Sequence, residues 1–196
     1  MKFITALIFL FTSHLALAAD NPMVVIDTNK GQITLELYPE KAPLSVENFL
    51  TYVKKDQFKA TTFHRVISGF MIQGGGFLAS GGRIDTLSSI QNESRNGVSN
   101  RRGTIAMART GAPHSATRQF FINHKDNDFL DAKGSNWGYA VFGKVTQGMD
   151  VVDTIAAVPT ARQDKPINPV IINSITVMEA KTDTKTEMKP KADTKK

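Results

Sequence analysis

His64, His114 and His124 are the side chains between residues 20 and 179 best suited to acid–base or metal chemistry. Their spacing matches no metal site, and no zincin-type glutamate accompanies them. His114-Ser115 lacks the Gly-x-Ser-x-Gly elbow that exposes a serine nucleophile. The absence of cysteine removes thiolate zinc sites, cysteine nucleophiles and disulfides together. Gly74-Gly75-Gly76 and Gly81-Gly82 invite a phosphate-loop reading. No Gly-Lys-Ser/Thr follows and the spacing fits neither nucleotide fingerprint, so both runs read as tight turns. What remains is a binding module, or an enzyme that makes and breaks no stable covalent bond.

The elements that would position such a site are short and mostly β. Met23–Thr28 is β-rich, Asn29-Lys30-Gly31 is a turn, and Gln32–Leu37 alternates polar and apolar residues, so the three form a hairpin. Ala42-Pro43 opens a helix, with proline in the first turn where its missing N–H costs nothing. Val46, Phe49, Leu50 and Val53 follow at helical spacing. A second short helix spans Met149–Ala156, with Val151, Val152 and Ile155 on its apolar side. Further strands are expected at Thr62–Ile67, Phe70–Gln73, Gly103–Ala108, Gln119–Asn123, Ala140–Val145 and Val170–Val177. Arg83–Arg102 has few apolar residues and reads as a long surface loop. Short strands with turn signals imply a closed or sandwiched β architecture, its open ends covered by the two helices.

The net charge of +6 is carried largely by the ends. Lys2 and the terminal 17 residues, with six lysines against three acids, account for four of these charges, so residues 3–179 net +2. A nearly neutral globular part is a weak case for nucleic-acid binding, which needs a concentrated basic face. Residues 1–19 read as a signal peptide: Lys2, an apolar stretch from Phe3 to Phe11, and the small-x-small site Ala16-Leu17-Ala18. The stretch is too short to span a bilayer, which takes about 20 residues, so the mature protein is expected to be exported without stable membrane insertion. Residues 180–196 form a Lys-rich tail with no apolar periodicity, expected to be disordered. It reads as a solubilising extension rather than a tether to an anionic surface. That leaves residues 20–179 as one domain.

Phe63-His64-Arg65-Val66-Ile67-Ser68-Gly69-Phe70-Met71-Ile72-Gln73-Gly74-Gly75-Gly76-Phe77 closely resembles the signature of the cyclophilin-type peptidyl-prolyl isomerases. Gly103–Arg109, Ser115–Ile122, Phe129-Leu130-Asp131 and Val141–Val145 match further family blocks in order, with Arg118 where serine is usual. The resemblance covers roughly Met23 to Glu179 and is strongest to the bacterial periplasmic members. It implies a mainly β fold, a closed eight-stranded antiparallel barrel capped by two α-helices. It also implies acceleration of X–Pro rotation in exported proteins, assisting their folding in the periplasm, or outside the cell as the alternative. No metal or cofactor is implied.

Carried over residue by residue, the resemblance makes Arg65 the catalytic arginine. Phe70, Met71, Phe121 and Leu130 form its proline pocket, and Gln73 and Gln119 its polar anchors, with Gln73 bonded to Arg65. Ala108 and Arg109 stand where backbone pairs with the residues before proline, Arg109 replacing a common asparagine. Phe129 occupies the position of the tryptophan of cyclosporin-sensitive members, so weak cyclosporin binding is expected, and Trp137 is not its substitute. Tyr139 replaces a common histidine and either lines the pocket or packs at the strand start. His64, by strand alternation, faces away from the site and reads as structural. Partners are proline-containing polypeptides, and a monomer suffices. The rival reading is a peptide-binding module or holdase without turnover, which has no evident need of Arg65. A basic surface-binding protein rests on the tail alone.

Overall fold

The structure, a computed structural model, describes residues 20–178. The leader and the Lys-rich tail lie outside the described residues. The strands are β1 (Met23–Thr28), β2 (Gly31–Leu37), β3 (Thr61–Ile67), β4 (Met71–Leu78), β5 (Thr104–Met107), β6 (Phe120–Asn123), β7 (Val141–Gln147) and β8 (Val170–Val177). Two helices interrupt them, α1 (Pro43–Lys54) and α2 (Met149–Ala156). The strands pair in the order β1-β2-β7-β5-β6-β4-β3-β8, and β8 returns to β1. All pairings between these strands are antiparallel, and the β8–β1 pairing closes the sheet into a barrel that leaves no edge to aggregate. Closure excludes the sandwich, which periodicity alone had left open.

Alternation sends Val24, Ile26, Ile33, Leu35, Ile72, Ile105, Phe120 and Ile122 inward, where all are fully buried. Phe49 of α1 plugs one end, its ring 5.6 Å from Phe120 and 5.3 Å from Phe142. The start of α1 has no capping side chain of its own, since Ala42 stands there. Glu93 supplies the cap from a distance: its carboxylate accepts from the N–H groups of Leu44 (2.9 Å) and Ser45 (2.7 Å). The Arg83–Arg102 segment lies mostly at the surface and is anchored there, with its Ser94 and Asn100 buried.

One reading of the glycines needs correction. Gly81 does turn the chain, with φ of 90°. Gly74-Gly75-Gly76 does not; it lies inside β4, which continues past Gln73 to Leu78. A Cβ on Gly75 would sit 2.9 Å from Phe58, and one on Gly76 2.5 Å from the Gln119 amide. The β3–β4 register shifts twice here: between Thr61 and Phe63, with the extra residues on β4, and between Phe63 and Arg65, with the extra residue on β3. Strand glycine in this barrel is a response to close approach.

Candidate active site

The outer faces of β4, β5 and β6 carry a second, smaller apolar cluster. Met71, Ala106, Phe121 and Val141 form its buried floor, with Phe70, Ala108, Leu130 and Tyr139 packed around them. Above that floor lies a cavity of about 300 Å³. Arg65, Phe70, Met71, Gln73, Ala108, Arg109, Phe121, Leu130 and Tyr139 line it, nine residues that the sequence reading had singled out. Their separation in the chain, from β3 to the start of β7, is bridged by the antiparallel neighbours β3-β4-β6-β5.

Arg65 stands at the cavity's edge, half exposed. Its Nε donates to Asp164 Oδ2 at 3.3 Å. Asp164 and Gln163 both adopt left-handed backbone (φ 59° and 63°), an uncommon state for residues with a Cβ. The pair turns the side of the guanidinium that carries Nε towards the loop and leaves its remaining donors available. The expected bond between Gln73 and Arg65 is not made. These two are register partners across β3 and β4, but the Gln73 amide donates instead to Gln119 Oε1 at 2.9 Å. Gln119 therefore supports Gln73 from behind and does not line the cavity.

Phe129 also stays outside the cavity. It is 75% exposed and stacks on Phe70, with ring centroids 5.7 Å apart and an interplanar angle of 24°. Trp137 lies elsewhere, edge-on to His114 at 4.9 Å and under the Arg95 guanidinium at 4.7 Å. Tyr139 packs edge-to-face on Phe121 at 5.6 Å. Arg109 holds it there: the guanidinium lies 4.5 Å over the Tyr139 ring and donates to the carbonyls of Thr110, Trp137 and Gly138. Ala108 N–H is already committed to the Gln119 carbonyl at 2.9 Å, so its carbonyl is the group it can offer a ligand.

Beneath the pocket runs a network that no local pattern disclosed. Asn127 donates to the Phe70 carbonyl (2.9 Å) and to Asn123 Oδ1 (2.8 Å). Asn123 donates to Asn100 Oδ1 and Thr104 Oγ1, and Asn100 to the Asp131 carboxylate. Burial opposes ionisation of Asp131, and the hydrogen bonds from Ser99 and Asn100 outweigh it and hold its pKa low. The turn carrying Phe70 is fixed from the other side by His124, whose Nδ1 accepts from Gly69 N–H at 2.9 Å while its Nε2 meets Asp153 at 3.0 Å. Arg118, fully buried, donates to the carbonyls of Gln57, Gly75 and Asp85 and ties three segments behind β4. Burial lowers its pKa. Neither the asparagines nor Asp164 carry a sequence signal, because their partners lie far along the chain.

His64 also departs from the alternation rule. The bulge between Phe63 and Arg65 breaks the period, and His64 and Arg65 are half-buried neighbours on the outer side. Burial lowers the His64 pKa, opposed by hydrogen bonding to the Thr62 backbone and the Gln119 side chain.

The site is an apolar pocket on the outside of a closed barrel, edged by the Arg65 guanidinium and of a size that suits a small apolar group. A family model described as cyclophilin type peptidyl-prolyl cis-trans isomerase/CLD matches residues 23–177, and the chain belongs to that family. It is 53% identical over 169 residues to a peptidyl-prolyl cis-trans isomerase of Acinetobacter baylyi, an alignment covering 84% of this chain and 90% of that one. It is equally 53% identical over 164 residues to peptidyl-prolyl cis-trans isomerase B of Escherichia coli, covering 80% of this chain and 100% of that one. A Cryptosporidium parvum cyclophilin, solved in the presence of the dipeptide Ala-Pro, superposes with a TM-score of 0.69 at 30% identity over 81% of this chain and 99% of that one. The chain is thus a cyclophilin-type peptidyl-prolyl cis-trans isomerase that acts on proline-containing substrates.

Proposed function

We propose that Arg65 and the cavity beside it are the catalytic centre, and that the enzyme serves the folding of exported proteins in the periplasm. X–Pro rotation is slow because amide resonance sets a barrier of about 18–20 kcal/mol. A catalyst needs no nucleophile for this step. It must hold the proline and stabilise a twisted amide whose nitrogen has regained its lone pair. Phe70, Met71, Phe121 and Leu130 grip the pyrrolidine ring by apolar contact. The donors of Arg65 that Asp164 leaves available bond to the prolyl nitrogen and oppose resonance. Gln73, fixed by Gln119, donates to the substrate backbone. The Ala108 carbonyl and the Arg109 backbone receive the residues before proline, and Tyr139 closes the far wall. Phe129 offers a phenyl face with no ring N–H, so cyclosporin binds weakly. A monomer contains every one of these groups.

The observation that carries the reading is the convergence, on one cavity with Arg65 at its edge, of nine residues that the resemblance assigns to the site. Export rests on the leader pattern of residues 1–19. Isomerisation of an X–Pro peptide is measured with wild type and Arg65→Ala, both checked for folding. Acceleration by wild type that collapses in the variant supports Arg65's role, and equal acceleration overturns it. Fractionation of cells expressing the full chain, with mass measurement of the mature protein, tests export: an unprocessed cytoplasmic product refutes it.

A further inference from the structure

A larger cavity, of about 500 Å³, opens on the other side of Arg65. Its walls are the outer side of β3, the end of β4 and the loop that precedes β8. Leu78 and Ile167 are 36% and 62% exposed and put apolar surface on its rim. His64 and Phe77 form an aromatic floor, edge-to-face at 4.7 Å. His64 Nδ1 is buried there without a partner. The loop wall is preformed: Ala161 N–H donates to the Lys165 carbonyl at 2.8 Å, and Ile167 N–H to the Pro159 carbonyl at 2.9 Å.

We propose that this cavity is a second substrate subsite that takes a large apolar side chain from the residue following the proline. The proposal rests on the reading of the smaller cavity as the proline site. Arg65 lines both cavities, so a polypeptide whose proline fills the smaller one passes directly over the guanidinium into the larger one. Direction follows from the sheet order. The residues before proline are assigned to the end of β5, and β3 lies beyond β6 and β4 on the opposite side. The chain leaving the proline the other way meets β3 and the 163–167 loop. The chemistry of the lining sets the preference. Apolar side chains gain burial against Phe77, Leu78 and Ile167. Arg65 and Lys165 are the charged side chains that line the cavity; Asp164 offsets Arg65, so it is Lys165 that disfavours lysine or arginine there.

The test is exchange spectroscopy by NMR on Ala-Ala-Pro-Xaa peptides, with glycine, leucine or lysine after proline. Partial burial of one leucine side chain predicts kcat/KM about fivefold to tenfold above the glycine peptide, with lysine at or below glycine. Ile167→Glu brings the leucine-to-glycine ratio to within about twofold, and Ile167→Leu preserves it. Ile167 is mostly exposed, so neither change touches the core. Equal rates for leucine and glycine in wild type, or an unchanged ratio in Ile167→Glu, overturns the subsite. In a second series leucine stands before proline and glycine after it. Indifference of that series to Ile167→Glu supports the direction assigned, and sensitivity overturns it. Arg65→Ala on the glycine peptide reads the proline site alone: lost turnover supports that site, and retained turnover overturns it whatever the Ile167 ratio.

Discussion

Phe120 and Phe121 are neighbours on β6 with opposite duties. Phe120 points into the barrel, where Phe49, Phe58 and Phe63 surround it with ring centroids 5.6 to 6.0 Å away. Phe121 points out, into the smaller cluster with Met71 and Tyr139. The two are almost equally buried. The difference lies in what covers them. The inner cluster is packed from every side by strands and helices, so its residues contribute stability. The outer cluster is covered from below and at its flanks only, which leaves a concavity of ligand size. Burial alone therefore does not distinguish a core from a binding floor; the missing fourth wall does.

The sharpest way to break this comparison is to empty each side in turn. Phe120→Ala leaves a void in a closed space and is expected to lower unfolding free energy by about 3–5 kcal/mol, measured by urea denaturation, while the molecules still folded retain turnover. Arg65→Ala should do the reverse. Loss of one preorganised donor lowers kcat/KM by about 10² to 10³, and loss of its half-exposed ion pair moves stability by less than about 1 kcal/mol. If Phe120→Ala abolishes turnover in folded protein, or Arg65→Ala unfolds it, the division of labour fails.

Smaller effects sharpen the boundary between the two regions. Asn127→Ala removes one of the two donors to the Phe70 carbonyl, leaving the His124 N–H, and leaves Asn123 Oδ1 without its donor in a buried setting. It is expected to cost about 1–3 kcal/mol and to raise KM for peptide more than it lowers kcat, because Phe70 moves rather than Arg65. Asp164→Asn removes the charge that orients Arg65. An exposed pair of this kind is worth about 0.2–1 kcal/mol, so kcat/KM should fall by no more than about fivefold, with KM nearly constant. A larger effect on KM than on kcat would show Asp164 touching substrate instead.

The smallest expected effect is on pH dependence. Burial keeps the folded-state pKa of His64 below its ordinary value. The unfolded chain then binds the extra proton first as pH falls. The stability contribution is present above the ordinary histidine pKa and is lost as pH drops through the folded value. The carboxylates held low, Glu36, Asp126, Asp131 and Asp153, lose theirs only at more acid pH. Urea midpoints for wild type and His64→Gln between pH 7.5 and 5 isolate the histidine: the wild-type slope should be the steeper. Identical slopes would mean that His64 titrates as a solvent-exposed group.

Much of this molecule could be read along the chain. All eight strands and both α-helices were legible, because alternation and helical spacing are local properties, and the nine cavity residues were legible through the family's ordered motifs. The eight-strand count and barrel closure came from the family resemblance and not from periodicity. What lay beyond reach is non-local. Glu93 capping α1, Arg118 joining three segments and Asp164 holding Arg65 each depend on pairs far apart in sequence, whose residue types are unremarkable alone.

The same boundary explains the corrections. A glycine run reads as a turn when only neighbours in the chain are considered; Phe58, Phe120 and Gln119 make it a strand. His64 alternates away from Arg65 on an ideal strand; a bulge, set by how β4 packs, returns it to the same side. Residue order thus decided which segments form strands and helices, through backbone preference and apolar period, and which side chains are candidates for chemistry, through the match to the family's motifs. Tertiary structure alone decided the closed topology, the partner of each polar group and the open wall of the pocket, since each is a property of the space between segments rather than of any one of them.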